Sequence, residues 1–240
     1  MAGATGNIYT GLLEFDEMVF VLHVLRSGDR FADVGANIGA YTILAAKNTG
    51  ANVIAIEPVP TTFHHLKCNV FLNDVSHLVN LCQAGVGNES SRRNFTSSRD
   101  SVNHVIVDSE KSSVTDFIEI QVTTLDELCS NNDPVIMKID IEGFEWPALM
   151  GAEKMLRSGS LKGIIIELNG SGMRYGYDDG EIHKKLLSHS FLPYNYDPFK
   201  RELNLQKTYG KHNTLYIRDL DWVKRRIQNA REFTIFEQQL

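Results

Sequence analysis

The chain reads as a doubly wound α/β protein, and three observations carry that reading. Short apolar runs alternate with segments of helical periodicity over the first two thirds of the sequence. Most of these runs are nearly uninterrupted, as strands buried on both faces of a parallel sheet must be. One of them, FADV at 31–34, leads directly into a glycine turn and a helix.

The elements follow in order. Residues 1–28 read as a helical lead-in, with Leu13, Val19 and Val21 to Leu25 along an apolar face. Glu14, Asp16 and Glu17 interrupt that segment, and no basic leader precedes it, so it does not read as a signal peptide. No stretch reaches the roughly 18 uncharged residues of a membrane span. The expectation is a cytoplasmic chain with no membrane partner. Strands are expected at 31–34, 52–57, 77–83, 135–140 and 163–168. Helices are expected at 37–48, at 62–72, at 125–130 behind a Thr124 cap, and at 144–157 with Pro147 tolerated in its first turn. Short links between these elements imply right-handed crossovers.

Residues 88–116 break the alternation. They are rich in Ser, Asn and charge, and they read as an inserted hairpin or loop followed by a strand at 117–122. Beyond them come a glycine-rich loop at 170–180, a helix from about Asp179, two strands near 191–196 and 214–218, and a C-terminal helix over 219–240. Residues 1–240 are read as a single domain.

Composition narrows the function classes. The 240 residues are 42% apolar and 22% charged, which fits an ordinary globular chain with no need of a disulfide or metal scaffold. Twenty-four basic against 30 acidic side chains leave a net charge of −6, which argues against nucleic acid as a partner. The basic run Lys224 to Arg226 reads as a solvated helix face. Cys68, Cys82 and Cys129 form no Cys-x-x-Cys pair, which points to a reducing compartment.

The sharpest local signal is Asp33-Val-Gly35-Ala36-Asn37-Ile-Gly39, between a strand and a helix. A dinucleotide fingerprint would need glycines at 35, 37 and 40, but positions 37 and 40 are Asn and Ala. That weakens a nicotinamide oxidoreductase reading. The pattern D-x-G-x-N-x-G instead resembles the loop that S-adenosylmethionine enzymes wrap around the methionine part of their cofactor. Asp33, Gly35, Ala36, Asn37 and Gly39 are therefore candidate cofactor residues. Glu57 ends the next strand, where a carboxylate can accept both hydroxyls of a ribose. Gln83, at the end of the third strand, is the candidate for contact with the base.

The segments 31–46, 53–73, 123–128, 136–156 and 163–170 resemble, in order, the FkbM family of S-adenosylmethionine-dependent methyltransferases. The resemblance implies a class I methyltransferase fold, a mostly parallel seven-stranded sheet with a reversed C-terminal hairpin. It also implies S-adenosyl-L-methionine as cofactor and O-methylation of a small-molecule hydroxyl, on a secondary metabolite or a saccharide.

A second motif, Lys138-Ile-Asp140-Ile-Glu142-Gly-Phe-Glu145, ends the fourth strand beside the glycine loop. Strand alternation would put Lys138, Asp140 and Glu142 on one side, where plain burial of three charges would be costly. An ion pair between Lys138 and Asp140 is the structural alternative. Methyl transfer from a sulfonium is an in-line displacement, so the chain must align the acceptor oxygen and take its proton. Asp140 is the first candidate for that base, and for contact with the cofactor, with Glu142 and Glu167 behind it. His104 and His212 are weaker candidates. Oxygen ligands from Asp140, Glu167 and Asn169 could hold Mg²⁺, but nothing in the motif demands a metal. The His64/Cys68 pair lacks the further ligands of a zinc site. A non-catalytic nucleoside-binding module is the remaining alternative, opposed by the acids at 57, 140 and 142.

Overall fold

The computed structural model describes residues 11–97, 103–107, 110, 115–130, 133–235 and 238–239. Residues 1–10 of the expected lead-in, parts of the expected insertion (98–102, 108–109 and 111–114) and residues 236–237 and 240 of the tail lie outside them.

The core is an eight-stranded sheet. Its parallel part consists of β1 (Arg30–Val34), β2 (Asn52–Ile56) and β3 (Val79–Cys82), then β7 (Ile136–Ile139) and β8 (Gly163–Glu167). Its C-terminal part is β9 (Leu192–Asp197), β10 (Glu202–Leu205) and β11 (Asn213–Ile217). The strand order is β10-β9-β11-β8-β7-β1-β2-β3, with β11 antiparallel to both β8 and β9. The reversed C-terminal strands are thus present, but the sheet has one strand more than expected. The extra strand, β10, closes a hairpin on β9 at the sheet edge. Its Glu-Leu-Asn-Leu sequence is largely exposed, so it carries none of the continuous apolar run that marks the central strands.

Period-2 alternation divides the sheet's side chains between two cores. Phe31, Val53, Ile136, Ile165 and Leu215 pack on one face under four helices, α1 (Phe15–Val24), α2 (Ala40–Thr49), α3 (Pro60–Leu72) and the C-terminal helix that carries Val223 and Ile227. Ala32, Val34, Met137, Ile164 and Tyr216 pack on the other, under α4 (Leu125–Leu128), α5 (Glu145–Met150), α6 (Glu153–Arg157) and α7 (Asp179–Ser188). The helix expected at 144–157 is therefore two helices. The break falls at Gly151, where a Cβ would come within 2.0 Å of the Gly87 carbonyl oxygen, so the chain bends where backbone meets backbone. The last helix, α8, spans Leu220–Gln228 and does not continue to the end of the chain. Its buried face ends with Val223 and Ile227, and the β-branched pair at Thr234–Ile235 forms a two-stranded ladder with Gln238–Gln239.

The insertion builds a second sheet. β5 (Ser91–Thr96) pairs antiparallel with β6 (Phe117–Thr123), which pairs parallel with the short β4 (Gly85–Val86). Phe95, Val105, Ile120 and Val122 form its small apolar cluster. β6 runs into α4 through Thr124, whose hydroxyl caps the helix by accepting the Glu127 N–H at 3.2 Å.

Asp126 ties this junction to the core, its carboxylate accepting the N–H groups of Lys154 (2.9 Å) and Met155 (3.0 Å) at the start of α6. Asp126→Ala should cost about 1 kcal/mol, the usual worth of a helix cap. Urea unfolding should show a lower midpoint at unchanged slope. An unchanged midpoint would mean that water replaces the carboxylate without loss.

Candidate active site

The carboxyl ends of β1, β2, β3 and β7 meet around a cavity of about 330 Å³, a size typical of small-molecule sites. Its floor is the turn after β1. Gly35 adopts φ 82°, and a Cβ there would come within 1.9 Å of the Asp140 carbonyl oxygen. Only glycine lets this turn lie against the end of β7. The N–H groups of Gly35 and Ala36 both donate to the Ile56 carbonyl at 2.9 Å, which locks the turn to β2. Asn37 takes a positive φ of 51°, which aims its N–H at Glu57.

Glu57 is nearly buried, 7% exposed. Its Oε2 accepts the Asn37 N–H at 3.1 Å and its Oε1 accepts the Val59 N–H at 2.9 Å. Burial pushes its pKa up to about 7, although both backbone N–H groups pull the other way. Each carboxylate oxygen keeps a second lone pair for a ligand hydroxyl. Asp33 lies deeper, accepting the Thr42 hydroxyl at 2.6 Å, and burial raises its pKa against the opposing charge of Lys138.

Lys138 is buried in the middle of β7 and its Nζ lies 2.7 Å from Asp140 Oδ2. The same ammonium sits 4.8 Å from the centre of the Tyr41 ring. Burial alone would lower its pKa, but Asp140, Glu14 and Asp33 outweigh that and hold it above the ordinary lysine value. Tyr41 in turn donates its hydroxyl to Glu14 Oε2 at 2.6 Å, and Asn213 Nδ2 donates to the same oxygen at 2.7 Å.

β7 ends at Ile139, so the alternation expected to carry Glu142 does not reach it. Glu142 instead takes φ 58° in the following turn and still borders the cavity. Burial and the neighbouring Asp140 raise its pKa. Glu145 accepts the N–H groups of Ile141 (3.1 Å) and Gly143 (3.2 Å), which shapes that turn. Glu167 ends β8, one residue past the Ile139–Ile166 register pair. Burial, then the charges of Asp140 and Glu142, push its pKa up to about 7.

The structure brings together most of the residues singled out from sequence. Asp33, Gly35, Ala36 and Asn37 border the cavity from one side, and Glu57, Asp140 and Glu142 from the others. Gly39, Gln83 and Glu167 do not border it. Gly39 begins α2 at φ 97°, its Cα pressed towards Leu66, and so serves the turn. Gln83 is exposed beyond β3, while its neighbours Ala84 and Gly85 reach the cavity. His104 is buried with Nε2 3.3 Å from Glu110, and His212 is exposed. The Asn169 side chain accepts the Ser171 N–H at 2.9 Å in a local turn. Among the described residues no group of three or more His, Cys, Asp or Glu side chains is arranged to hold a metal ion. His64 and Cys68 face each other at 3.6 Å on the exposed side of α3.

Sequence reasoning missed Glu14 and the wall built by Phe95, Asn103 and Val105. Glu14 registered only as a charge interrupting an apolar segment. The spacing of a charge just ahead of a helix that packs beside the glycine loop was its only signal.

Comparison with known proteins bears on the family and the fold. The Methyltransferase FkbM domain family matches residues 33–193. The hexuronic acid methyltransferase AglP of Haloferax volcanii is 30% identical over 182 residues, covering 75% of this chain and 70% of its own. The 31-O-demethyl-FK506 methyltransferase FkbM of Streptomyces tacrolimicus is 38% identical over 73 residues, 30% of this chain and 27% of its own. Among solved structures, methyltransferase FkbM from Methylobacillus flagellatus KT superposes with a TM-score of 0.53 at 19% identity, over 87% of this chain and 45% of that one. That likeness speaks to the fold, and the chain spans less than half of that protein's length. Among the described residues no helix is long and apolar enough to cross a membrane. With the family matched over most of its length, from the glycine turn through β7 and β8 to the start of β9, this chain belongs to the FkbM methyltransferase family.

Proposed function

We propose that the chain is an S-adenosyl-L-methionine-dependent O-methyltransferase acting on a hydroxyl of a small molecule, a saccharide or another polyoxygenated metabolite. The observation that carries this reading is one cavity bordered both by the glycine turn with Glu57 and by the strand-end carboxylates Asp140 and Glu142. A nucleoside cofactor and an acceptor need those two ends side by side. The name of one relative specifies a 31-O-demethyl substrate, which supports oxygen as the acceptor atom.

The residues present fit such a cofactor. Glu57 offers lone pairs to two adjacent hydroxyls, and the turn from Gly35 to Asn37 leaves room for close approach of a ligand to the main chain. When bound, the cofactor supplies a methyl group already activated on a sulfonium. The chain's remaining work is to align the acceptor hydroxyl and to take its proton. Asp140, fixed by Lys138, is suited to align that hydroxyl and accept its hydrogen bond. Glu167 lies outside the cavity lining at the neighbouring strand end, and with its pKa raised to about 7 it is suited to receive the proton onward from Asp140 near neutral pH. The two form one acidic pair at neighbouring strand ends, and either removal should slow turnover.

Cofactor affinity tests the Glu57 assignment. Glu57→Ala should weaken S-adenosylmethionine binding at least ~10-fold in calorimetry while the fold persists, since charge-assisted hydrogen bonds to the ribose are lost. In the wild type the ionised carboxylate is the form that accepts hydroxyls. Its pKa of about 7 means that affinity should rise as pH increases through neutrality. Glu57→Gln should flatten that dependence. Equal affinity in wild type and Glu57→Ala would remove Glu57 from the cofactor site.

Turnover tests the acidic pair. Asp140→Asn should leave cofactor affinity within a few-fold and lower kcat by ~10²–10⁴, the range for a positioned acid–base group. For Glu167→Gln the alkaline rise of kcat around the pKa of about 7 should disappear. Labelled methyl transfer across a panel of saccharides and polyketide alcohols provides the assay. Near wild-type kcat in Asp140→Asn would reassign that carboxylate to a structural ion pair.

A further inference from the structure

Glu14 borders the cavity although it stands in neither sequence motif, and its side chain is engaged in an unexpected way. We propose that Glu14 holds a second hydroxyl of the acceptor, so that the chain selects a saccharide ring by two of its hydroxyls, one at Asp140 and one at Glu14. This deepens the acceptor reading above and rests on it.

Glu14 occupies the N-cap position of α1, where a side-chain oxygen can turn back to accept the N–H groups of its own helix, yet it makes no such cap. Its Oε2 instead takes two hydrogen bonds from distant segments. The Tyr41 hydroxyl of α2 donates at 2.6 Å and Asn213 Nδ2 of β11 at 2.7 Å. With Nδ2 aimed at Glu14, the buried Oδ1 of Asn213 finds no hydrogen-bond partner among the described residues, and such an oxygen is costly. A helix cap goes unmade and an amide oxygen unpaired while the carboxylate is held at the cavity. Stability alone would favour the cap, so the arrangement is one of positioning. Glu14 is half-buried, and its Oε1 accepts no hydrogen bond among the described residues, which leaves that oxygen open to a ligand hydroxyl.

The strand order indicates which ligand that is. The glycine turn and Glu57 follow β1 and β2, whereas Asn213 belongs to β11, which lies on the other side of β7, beyond β8. Glu14 is therefore tied away from the nucleoside end, towards the strand tips that carry Asp140 and Glu167. Lys138 links it to Asp140. The ammonium lies 2.7 Å from Asp140 Oδ2 and 4.8 Å from the centre of the Tyr41 ring. Against the effect of burial, it is held charged by Asp140 first and Glu14 next. The two carboxylates thus share one cation and border one cavity. A lone alcohol would engage only Asp140. A sugar ring carries neighbouring hydroxyls, so one at Asp140 leaves another to donate to Glu14 Oε1.

Methyl glycosides of glucose, galactose and mannose, each beside its monodeoxy analogues, test the proposal in labelled methyl transfer with the full chain. On a glycoside that the wild type methylates, loss of one hydroxyl near the methylated one should lower kcat/KM at least ~10-fold, mainly through KM. Glu14→Ala should lower kcat/KM on the parent glycoside by a similar factor and bring parent and deoxy analogue within a few-fold of each other. Glu14→Gln, which can still accept from Tyr41 and Asn213 but has lost the charge, should fall between the two. S-adenosylhomocysteine affinity should stay within a few-fold in both variants. Near-UV circular dichroism reports whether each keeps its packing, and if Glu14→Ala does not, Glu14→Gln carries the comparison. A wild type indifferent to every single deoxygenation overturns the proposal. So does a variant that loses equally on parent and analogue, as a merely structural carboxylate would. In either case the methyl-donor reading stands. A ~10-fold loss of S-adenosylhomocysteine affinity in a packed variant would move Glu14 to the donor side and overturn the proposal as well. Transfer to none of the glycosides removes the saccharide acceptor and the proposal together.

Discussion

An ammonium in the middle of an apolar strand has to be compensated where it lies, and Lys138 imposes that requirement on four parts of the chain. Its neighbours in β7 are fully buried aliphatics, so water offers no help. Asp140 at the end of the same strand answers with a direct ion pair, Asp33 in β1 with a second negative charge, and Tyr41 in α2 with the face of its ring. Glu14, ahead of α1, adds a third charge and ties Tyr41 to Asn213 of β11. Removing one partner of such a group leaves a charge with nowhere to go, at a cost of about 3–5 kcal/mol. The same compensation gathers carboxylates at the carboxyl end of the sheet. The acidity of the site and the stability of the strand under it are therefore one arrangement.

That arrangement was partly legible in the sequence. Glu57 and Asp140 each close a recognisable apolar run, because the end of a buried strand is where its pattern must change, and Asp33 stood out by its place just before the glycine turn. β1, β7 and β8 were legible because they are short, buried and largely apolar. β10 was not, since an exposed four-residue edge strand leaves no burial pattern to read. The break between α5 and α6 depends on Gly151 touching the backbone of Gly87, a contact between distant segments that local periodicity does not encode. Glu14 falls in the same category, since it owes its position to Tyr41 and Asn213 far along the chain and stands in no repeating pattern.

Glycine sets the spacing between the two sheets as well as the shape of the cofactor turn. Gly85 admits the Phe95 ring, Gly87 meets Gly151, and Gly35 meets Asp140, all at distances that a single added carbon would violate. These contacts bring the inserted sheet close enough to wall the cavity that the main sheet opens. A site assembled in this way is narrow because backbone is pressed against backbone, which is stiffer than side-chain packing. It is a rigid frame for a ligand that must be held in line.

The route of the chain into and out of the inserted sheet has a consequence of its own. It leaves the core along Gly85–Val86 and returns along Val122–Thr123, and these two segments lie side by side as paired strands. Entry and exit are thus stitched together before the hairpin begins. The closure entropy of whatever lies between them grows only with the logarithm of its length, about 0.6 kcal/mol for each doubling. The main sheet is insulated from changes in the segment that hangs over its cavity. Such a chain can lengthen, shorten or rewrite that canopy, and with it the shape presented to incoming molecules, while the frame that positions the chemistry stays as it is.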